Sequence, residues 1–383
     1  MGFGNYVKLS FFKDLYMEAV TELQNNSLKN VHGGNVWQAA QKWGIRPDQF
    51  IDYSANINPL GMSPRAIAAL KDNLNMLIHY PEPSGEGFKN SLSIYLHVAP
   101  ENLVLGNGGS ELIYLVGRMY YGSRIVVLAP SFSEYGAGIE QPDIKHICLK
   151  PEQNFALPVR KIIEEIREGD LLFIANPNNP TGNLFPSHEL EQIVTAAGRS
   201  NAVVVIDEAF IDFAGDKNSL RYLAQENSNL IILGSLTKFF AMPSLRLGYA
   251  VSTVTNINRM EQLLPVWRIN AMAMVAGEAS ISHREYIEQT LSTIKTERQF
   301  LSRELGKIEG LQVYPSESNF ILLNALHTGF TAHEIQDQLG PKGILIRECS
   351  NFINLSPFYF RLAVKAHKEN ERLVKALRDV LKS

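Results

Sequence analysis

The chain has little cysteine: Cys148 and Cys349 are the only two in 383 residues. That excludes a disulfide scaffold and a cysteine-rich metal site, so no metal is expected, and it suits a reducing compartment. Charge of one sign is also missing. Thirty-six Lys and Arg stand against 39 Asp and Glu, leaving a net charge of -3. There is no basic footprint for nucleic acid and no cationic face for anionic lipid. Long apolar runs are absent as well, since no window reaches the roughly 18 unbroken apolar residues of a membrane span. The opening MGFGNYVKLSFFKDLYMEAVTEL has no secretory pattern, because Lys13, Asp14 and Glu18 interrupt its apolar stretch. Tyr6 stands where a myristoylation signal requires Ser or Thr. The expectation is a cytoplasmic protein.

The composition that is present, 45% apolar and 20% charged, is that of an ordered globular chain. Its length exceeds what one core supports, which implies two domains. Residues 11–23 space Phe12, Leu15, Tyr16, Ala19, Val20 and Leu23 as one amphipathic helix, followed by the linker-like NNSLKN. Between about 100 and 255, short apolar runs alternate with helical patterns. They are NLVL (102–105), RIVVLA (124–129), LLFIA (171–175), AVVVI (202–206), LIILG (230–234) and LRLGYAVS (245–252). Strands buried on both faces read this way, so a mostly parallel sheet covered by helices is expected. The pattern then changes to a helical stretch over 271–309. Strand-like runs follow in LQVYPSESNFILLNA, GILIREC and YFRLAVK, and a helix over 367–382 closes the chain. That is a separate, smaller α+β module. The expected organisation is an N-terminal extension (1–30), a segment joining the small domain (31–65), a large domain (66–268) and a small domain (269–383).

Polar residues follow the strand-like runs repeatedly. GNGGSE (106–111), PSF (130–132), NPNNPTG (176–182), DEAF (207–210) and SLTK (235–238) each come after one. Ligands of open α/β sheets collect at the carboxyl ends of strands, so five such ends point to one crevice. Singly, each motif has a plain reading: a glycine turn, a stiff Asn-Pro turn, an Asp helix cap, a solvated lysine. Jointly they suggest a particular chemistry. A glycine loop at a helix start offers free N–H groups to one phosphate. A desolvated or cation-flanked lysine, Lys238, loses its proton and can condense with an aldehyde. Asp207 is suited to face a pyridine nitrogen. Together these form the pattern of pyridoxal 5'-phosphate (PLP).

NPNNPTG, DEAF, SLTK and LRLGY (245–249), in that order, resemble the fold type I PLP enzymes of the aspartate aminotransferase superfamily, and within it the histidinol-phosphate aminotransferase-like branch. HGGN (32–35), DYSANINPLGMSP (52–64), YPEP (80–83), DEAFIDF (207–213), SLTKFFAMPSLRLGY (235–249) and LIREC (345–349) narrow the resemblance to the threonine-phosphate decarboxylases, from about residue 32 onward. The resemblance implies an α/β fold, with a large domain built on a mostly parallel seven-stranded sheet and a smaller α+β domain. It also implies PLP as cofactor and a homodimer. By residue, it implies Lys238 as the Schiff-base lysine, Asp207 at the ring nitrogen, Asn176 at the ring 3-hydroxyl and Phe132 stacked on the ring. Gly108, Gly109, Ser110, Ser235 and Arg246 would cradle the phosphate, with Tyr80 reaching in from the other subunit. Arg347 and Arg361 would bind substrate anions, and His32, Ser54 and Asn56 would close over the substrate. Phe210 stands where related aminotransferases carry Tyr, and Ser244 replaces a common glycine, with strain if that position requires positive φ. The expected reaction is decarboxylation of L-threonine O-phosphate or L-serine O-phosphate, with transamination of a histidinol-phosphate-like amine as the alternative.

Overall fold

The computed structural model describes residues 33–136 and 139–382. The expected helix over 11–23 and His32 lie outside the described residues. The strands in chain order are β1 (Ile51–Asp52), β2 (Leu103–Gly106), β3 (Ile125–Ala129), β4 (Ile144–Cys148), β5 (Leu171–Ala175), β6 (Val203–Asp207), β7 (Leu230–Ser235), β8 (Gly248–Val251), β9 (Gln312–Val313), β10 (Phe320–Asn324), β11 (Ile344–Leu345), β12 (Arg347–Glu348) and β13 (Tyr359–Ala363).

The large sheet has the order β2-β8-β7-β6-β5-β3-β4. β8 runs antiparallel to both its neighbours, and the remaining pairs are parallel. Alternate side chains feed two cores. Val204 and Ile206 of β6 face one, while Val203 and Val205 face the other, beneath helix Gly109–Met119. That two-sided burial is why the central strands carry almost no polar residues. β4 differs. It lies at the sheet edge with only Ile147 buried, and its IKHIC sequence is no apolar run, so the sequence did not single it out.

The small sheet is antiparallel, in the order β12-β13-β10-β9. Helices Arg284–Leu305, Ala332–Leu339 and His367–Leu381 cover it, the second started by a Thr331–Glu334 capping box. The helical stretch expected over 271–309 divides at Ser282–His283 into Ala271–Ile281 and Arg284–Leu305. The N-terminal part of the described chain is stitched to this sheet. β1 pairs parallel with β11, and Ala363 N–H donates to Tyr53 C=O at 2.9 Å. It then crosses to the large sheet, where Asn58 N–H donates to Lys238 C=O at 3.1 Å.

Candidate active site

The carboxyl ends of the large-sheet strands open on a cavity of about 830 Å³. Asp207 ends β6, Ser235 ends β7, and Asn176 directly follows β5. Side-chain alternation puts Asp207 on the face of Val205, the face that carries the glycine-led helix. The opposite wall comes from β12 and β13, which contribute Arg347 and Arg361.

Lys238 lines the cavity. Burial, with Arg246 and Arg361 nearby and Asp207 opposing them, pushes its amine down to about 8. Asp207 shifts in the opposite sense. Burial raises it, against the Tyr135 hydroxyl donating at 2.8 Å, the Ala209 N–H at 3.0 Å and the charge of Lys238. Asn176 is fully enclosed. Its Oδ1 accepts from Phe185 N–H at 2.7 Å, and its Nδ2 is a buried donor with no partner. Asn176 does not itself line the cavity, although its neighbours Ala175 and Pro177 do.

The loop before helix Gly109–Met119 is shaped for an anion. Gly108 sits at φ 84°, and a Cβ there would lie 2.5 Å from Arg246 Nη2, so only glycine fits. No side chain caps the helix, which leaves its first N–H groups without a side-chain acceptor. Gly109, Ser110, Ser235 and Arg246 all line the cavity beside it. Ser235 Oγ and Thr237 Oγ1 share a hydrogen bond of 2.8 Å. Arg246 is fixed by donating to Pro243 C=O at 3.0 Å. Positive φ falls on Ala241 and Arg246 and not on Ser244, so serine at 244 carries no left-handed strain.

Arg347 and Arg361 are direct partners across the β12–β13 pair, which sets their side chains on one face. Both are buried, at 7% and 6% exposure, and among the described residues neither is ion-paired to a carboxylate. Arg361 donates to Ser54 C=O at 2.9 Å and to Asn179 Oδ1, and its Nε is buried without a partner. Burial and the facing Arg347 draw Arg361 down to about 10, which leaves it cationic at neutral pH. Arg347 donates to Asn351 Oδ1 at 2.9 Å and lies over the Phe352 ring. Ser54 Oγ accepts from Gly34 N–H at 2.7 Å, and Asn56 turns a buried, unpartnered Oδ1 to the same region.

Phe132 and Phe210 line the cavity, and Phe210 meets Phe320 edge-on at 5.0 Å. Tyr80 does not line it. It is 80% exposed and stacks on Trp267 at 4.8 Å. Four residues that the sequence reading passed over also stand here: Tyr135, Thr237, Asn179 and Asn351. Asn179 and Thr237 were legible, since each lies inside a motif already singled out. Tyr135 follows Phe132 by one helical turn's spacing in PSFSEY, and only its contact with Asp207 distinguishes it.

Comparison with known proteins agrees with this geometry. The sequence matches the family model for aminotransferase class I and II over residues 48–379. A threonine-phosphate decarboxylase of Salmonella typhimurium is 35% identical over 357 residues, covering 92% of this chain and 97% of that protein. An adenosylcobalamin biosynthesis bifunctional protein CobDQ of Leptospira interrogans is 32% identical, covering 91% of this chain and 41% of that longer protein. Among solved structures, the histidinol-phosphate aminotransferase from Clostridium acetobutylicum superposes with a TM-score of 0.80 at 31% identity, over 86% of this chain and 98% of its own. A seven-stranded sheet of this order, a half-buried lysine at its carboxyl edge and a match over most of the length lead to one conclusion: the chain belongs to the aminotransferase class I and II family.

Proposed function

We propose that the protein is a PLP-dependent carboxy-lyase acting on an O-phospho amino acid. It converts L-threonine O-phosphate to (R)-1-amino-2-propanol O-phosphate, or L-serine O-phosphate to ethanolamine phosphate, for the nucleotide loop of a cobamide. The observation that carries the reading is the side-by-side pair Arg347 and Arg361, two buried guanidinium groups without carboxylate partners on the wall facing Lys238. A substrate with both a carboxylate and a phosphate supplies the two missing anions, and the planar fork of arginine matches either group.

The residues present fit PLP. The unpartnered Nδ2 of Asn176 is a donor awaiting an oxygen, and the uncapped helix start with Ser235 and Arg246 is a phosphate cradle. When bound, PLP supplies an electron-withdrawing ring that accepts the electron pair left as a bond at the substrate Cα breaks. Lys238, drawn down to about 8, is the amine that would carry the cofactor aldehyde and would be placed to return a proton to the substrate Cα. Asp207 would face the ring nitrogen, Phe132 would stack on the ring, and Gly108, Gly109 and Ser110 would bind its phosphate. Arg347 and Arg361, with Ser54, Asn56 and His32, would hold the substrate's carboxylate and phosphate and so set its orientation. The bond that breaks is decided by that orientation.

The chain works as a large domain (66–268) and a small domain (269–383) joined by residues 31–65. It acts as a homodimer in the cytoplasm. No described helix is long and apolar enough to cross a membrane. Tyr80, exposed beside Leu77 and Ile78, reaches the partner's cofactor phosphate. A fully active monomer in sedimentation analysis would contradict this.

A second reading, a histidinol-phosphate-type aminotransferase, rests on the 31% identity to the Clostridium enzyme. Phe210 weighs against it, since no hydroxyl is available where those aminotransferases carry Tyr. The test incubates PLP-saturated protein with phosphothreonine and phosphoserine, and separately with histidinol phosphate plus 2-oxoglutarate. CO2 released without any oxo-acid supports the lyase. Glutamate formed from 2-oxoglutarate overturns it. The two phospho-amino acids differ by one methyl, worth about 1–3 kcal/mol in a pocket, so both belong in the assay.

A further inference from the structure

We propose that Tyr135 is a positioning residue for the cofactor's ring nitrogen: its hydroxyl holds Asp207 aimed and ionised. The inference rests on the cofactor placement proposed above. Tyr135 is buried, at 4% exposure, and its oxygen donates to Asp207 Oδ2 at 2.8 Å. The other carboxylate oxygen accepts from Ala209 N–H at 3.0 Å. The carboxylate is therefore gripped from two directions, which fixes its plane. The phenol ring is fixed in turn. It lies stacked on Phe173 at 5.0 Å and 11°, and Phe132 meets it edge-on at 5.9 Å. One aromatic column thus connects the ring proposed to stack on the cofactor with the carboxylate proposed to face its nitrogen.

The chemistry of the site gives this contact a task. Asp207 is pushed toward its protonated form by burial, and the Tyr135 hydrogen bond is the first of the influences that oppose this. A protonated carboxyl cannot pair with a protonated pyridine nitrogen. Removing the hydroxyl therefore raises Asp207 further and narrows the pH range over which it meets the ring as an anion.

The experiment measures cofactor affinity, not turnover. Apoprotein of wild type, Tyr135→Phe and Tyr135→His is titrated with PLP by tryptophan fluorescence from pH 5 to pH 9. The Phe variant keeps the stacked ring and loses only the donor, whereas the His variant restores a donor. Expected results are about tenfold weaker PLP binding in Tyr135→Phe, the cost of one hydrogen bond to a charged group. Its loss of affinity on the acid side should also move to higher pH, and Tyr135→His should recover part of both effects. In an Asp207→Asn background, Tyr135→Phe should change affinity little, because the group it acts on is gone. An unmoved acid limb, or the same loss in both backgrounds, overturns the proposal. A melting temperature lowered in Tyr135→Phe with PLP affinity unchanged reduces Tyr135 to packing and also overturns it. Borohydride fixation of PLP on Lys238 in wild type distinguishes the two failures. If nothing is fixed, the cofactor placement itself is wrong. If PLP is fixed and Tyr135→Phe binds normally, only the role of Tyr135 is wrong.

Discussion

The most direct quantity to test is the proton affinity of Lys238. Only the unprotonated amine can attack an aldehyde, so its availability follows pH through the pKa. An ordinary lysine near 10.4 is unprotonated in roughly 1 molecule in 2,500 at pH 7. Lys238, drawn down to about 8 by burial and then by Arg246 and Arg361, is unprotonated in about 1 in 10. The ratio predicts that it captures PLP at pH 7 roughly 200-fold faster than an unperturbed lysine would. The perturbation is Arg361→Met, which removes one flanking cation while leaving the phosphate cradle of Gly108 and Arg246 intact. The assay follows apoprotein recombining with PLP by absorbance at a series of pH values. Wild type should show its rate rising with a midpoint near pH 8, and Arg361→Met should shift that midpoint upward. A wild-type midpoint near 10, or no upward shift in the variant, would refute the claim that burial and neighbouring cations prepare this lysine.

Three further outcomes follow from the same geometry. Gly108→Ala forces a side chain onto a left-handed backbone and against Arg246 Nη2, so PLP should bind at least about tenfold more weakly, as measured by equilibrium dialysis. Threonine without its phosphate leaves one of Arg347 and Arg361 buried and unmatched, and kcat/KM should fall by about 10⁴-fold or more against phosphothreonine. Glu208, held by Ser219 Oγ at 2.5 Å and Leu220 N–H at 3.0 Å, is raised by burial to about 7. A carboxyl raised in the folded state favours folding fully only below its unfolded value of about 4.3, and that contribution is lost as pH climbs toward 7. Glu208→Gln should remove this decline, on the order of 2–3 kcal/mol, in urea titrations between pH 4.5 and pH 8. Identical pH slopes in variant and wild type would count against it.

The central strands were legible because burial on both faces leaves almost no polar residue in LLFIA or LIILG. For the same reason the residues that break the pattern, such as Asp207 and Ser235, marked the strand ends that open on the cavity. Edge strand β4 was not legible, because a partly solvated edge strand carries polar and charged residues such as Lys145 and His146 and looks like a loop. Proximity across the fold was not legible either. Arg347 and Arg361 are not adjacent in sequence, and the register of β12 against β13 makes them neighbours. Tyr80, which the resemblance assigns to the other subunit's phosphate site, is exposed and lies outside the cavity of its own chain.

One physical effect acts on the two central groups in opposite senses. Desolvation penalises whichever form is charged, so it lowers Lys238 and raises Asp207, and each is drawn toward neutrality by the same enclosure. Two guanidinium groups, Arg347 and Arg361, do not follow them, because arginine keeps its charge even where burial lowers it, and Arg246 lines the same cavity. The cavity therefore has a fixed cationic rim around a centre whose charge adjusts to its contents. Such a rim favours anions over neutral ligands, and more so for each additional anionic group, since every unmatched guanidinium is a buried charge without a partner. On the proposed function, a cofactor carrying one phosphate and a substrate carrying a carboxylate and a second phosphate would provide one anion for each arginine. β12 and β13 hold two arginines directly opposite each other, an arrangement that is unfavourable in isolation and that a dianion between them would make favourable.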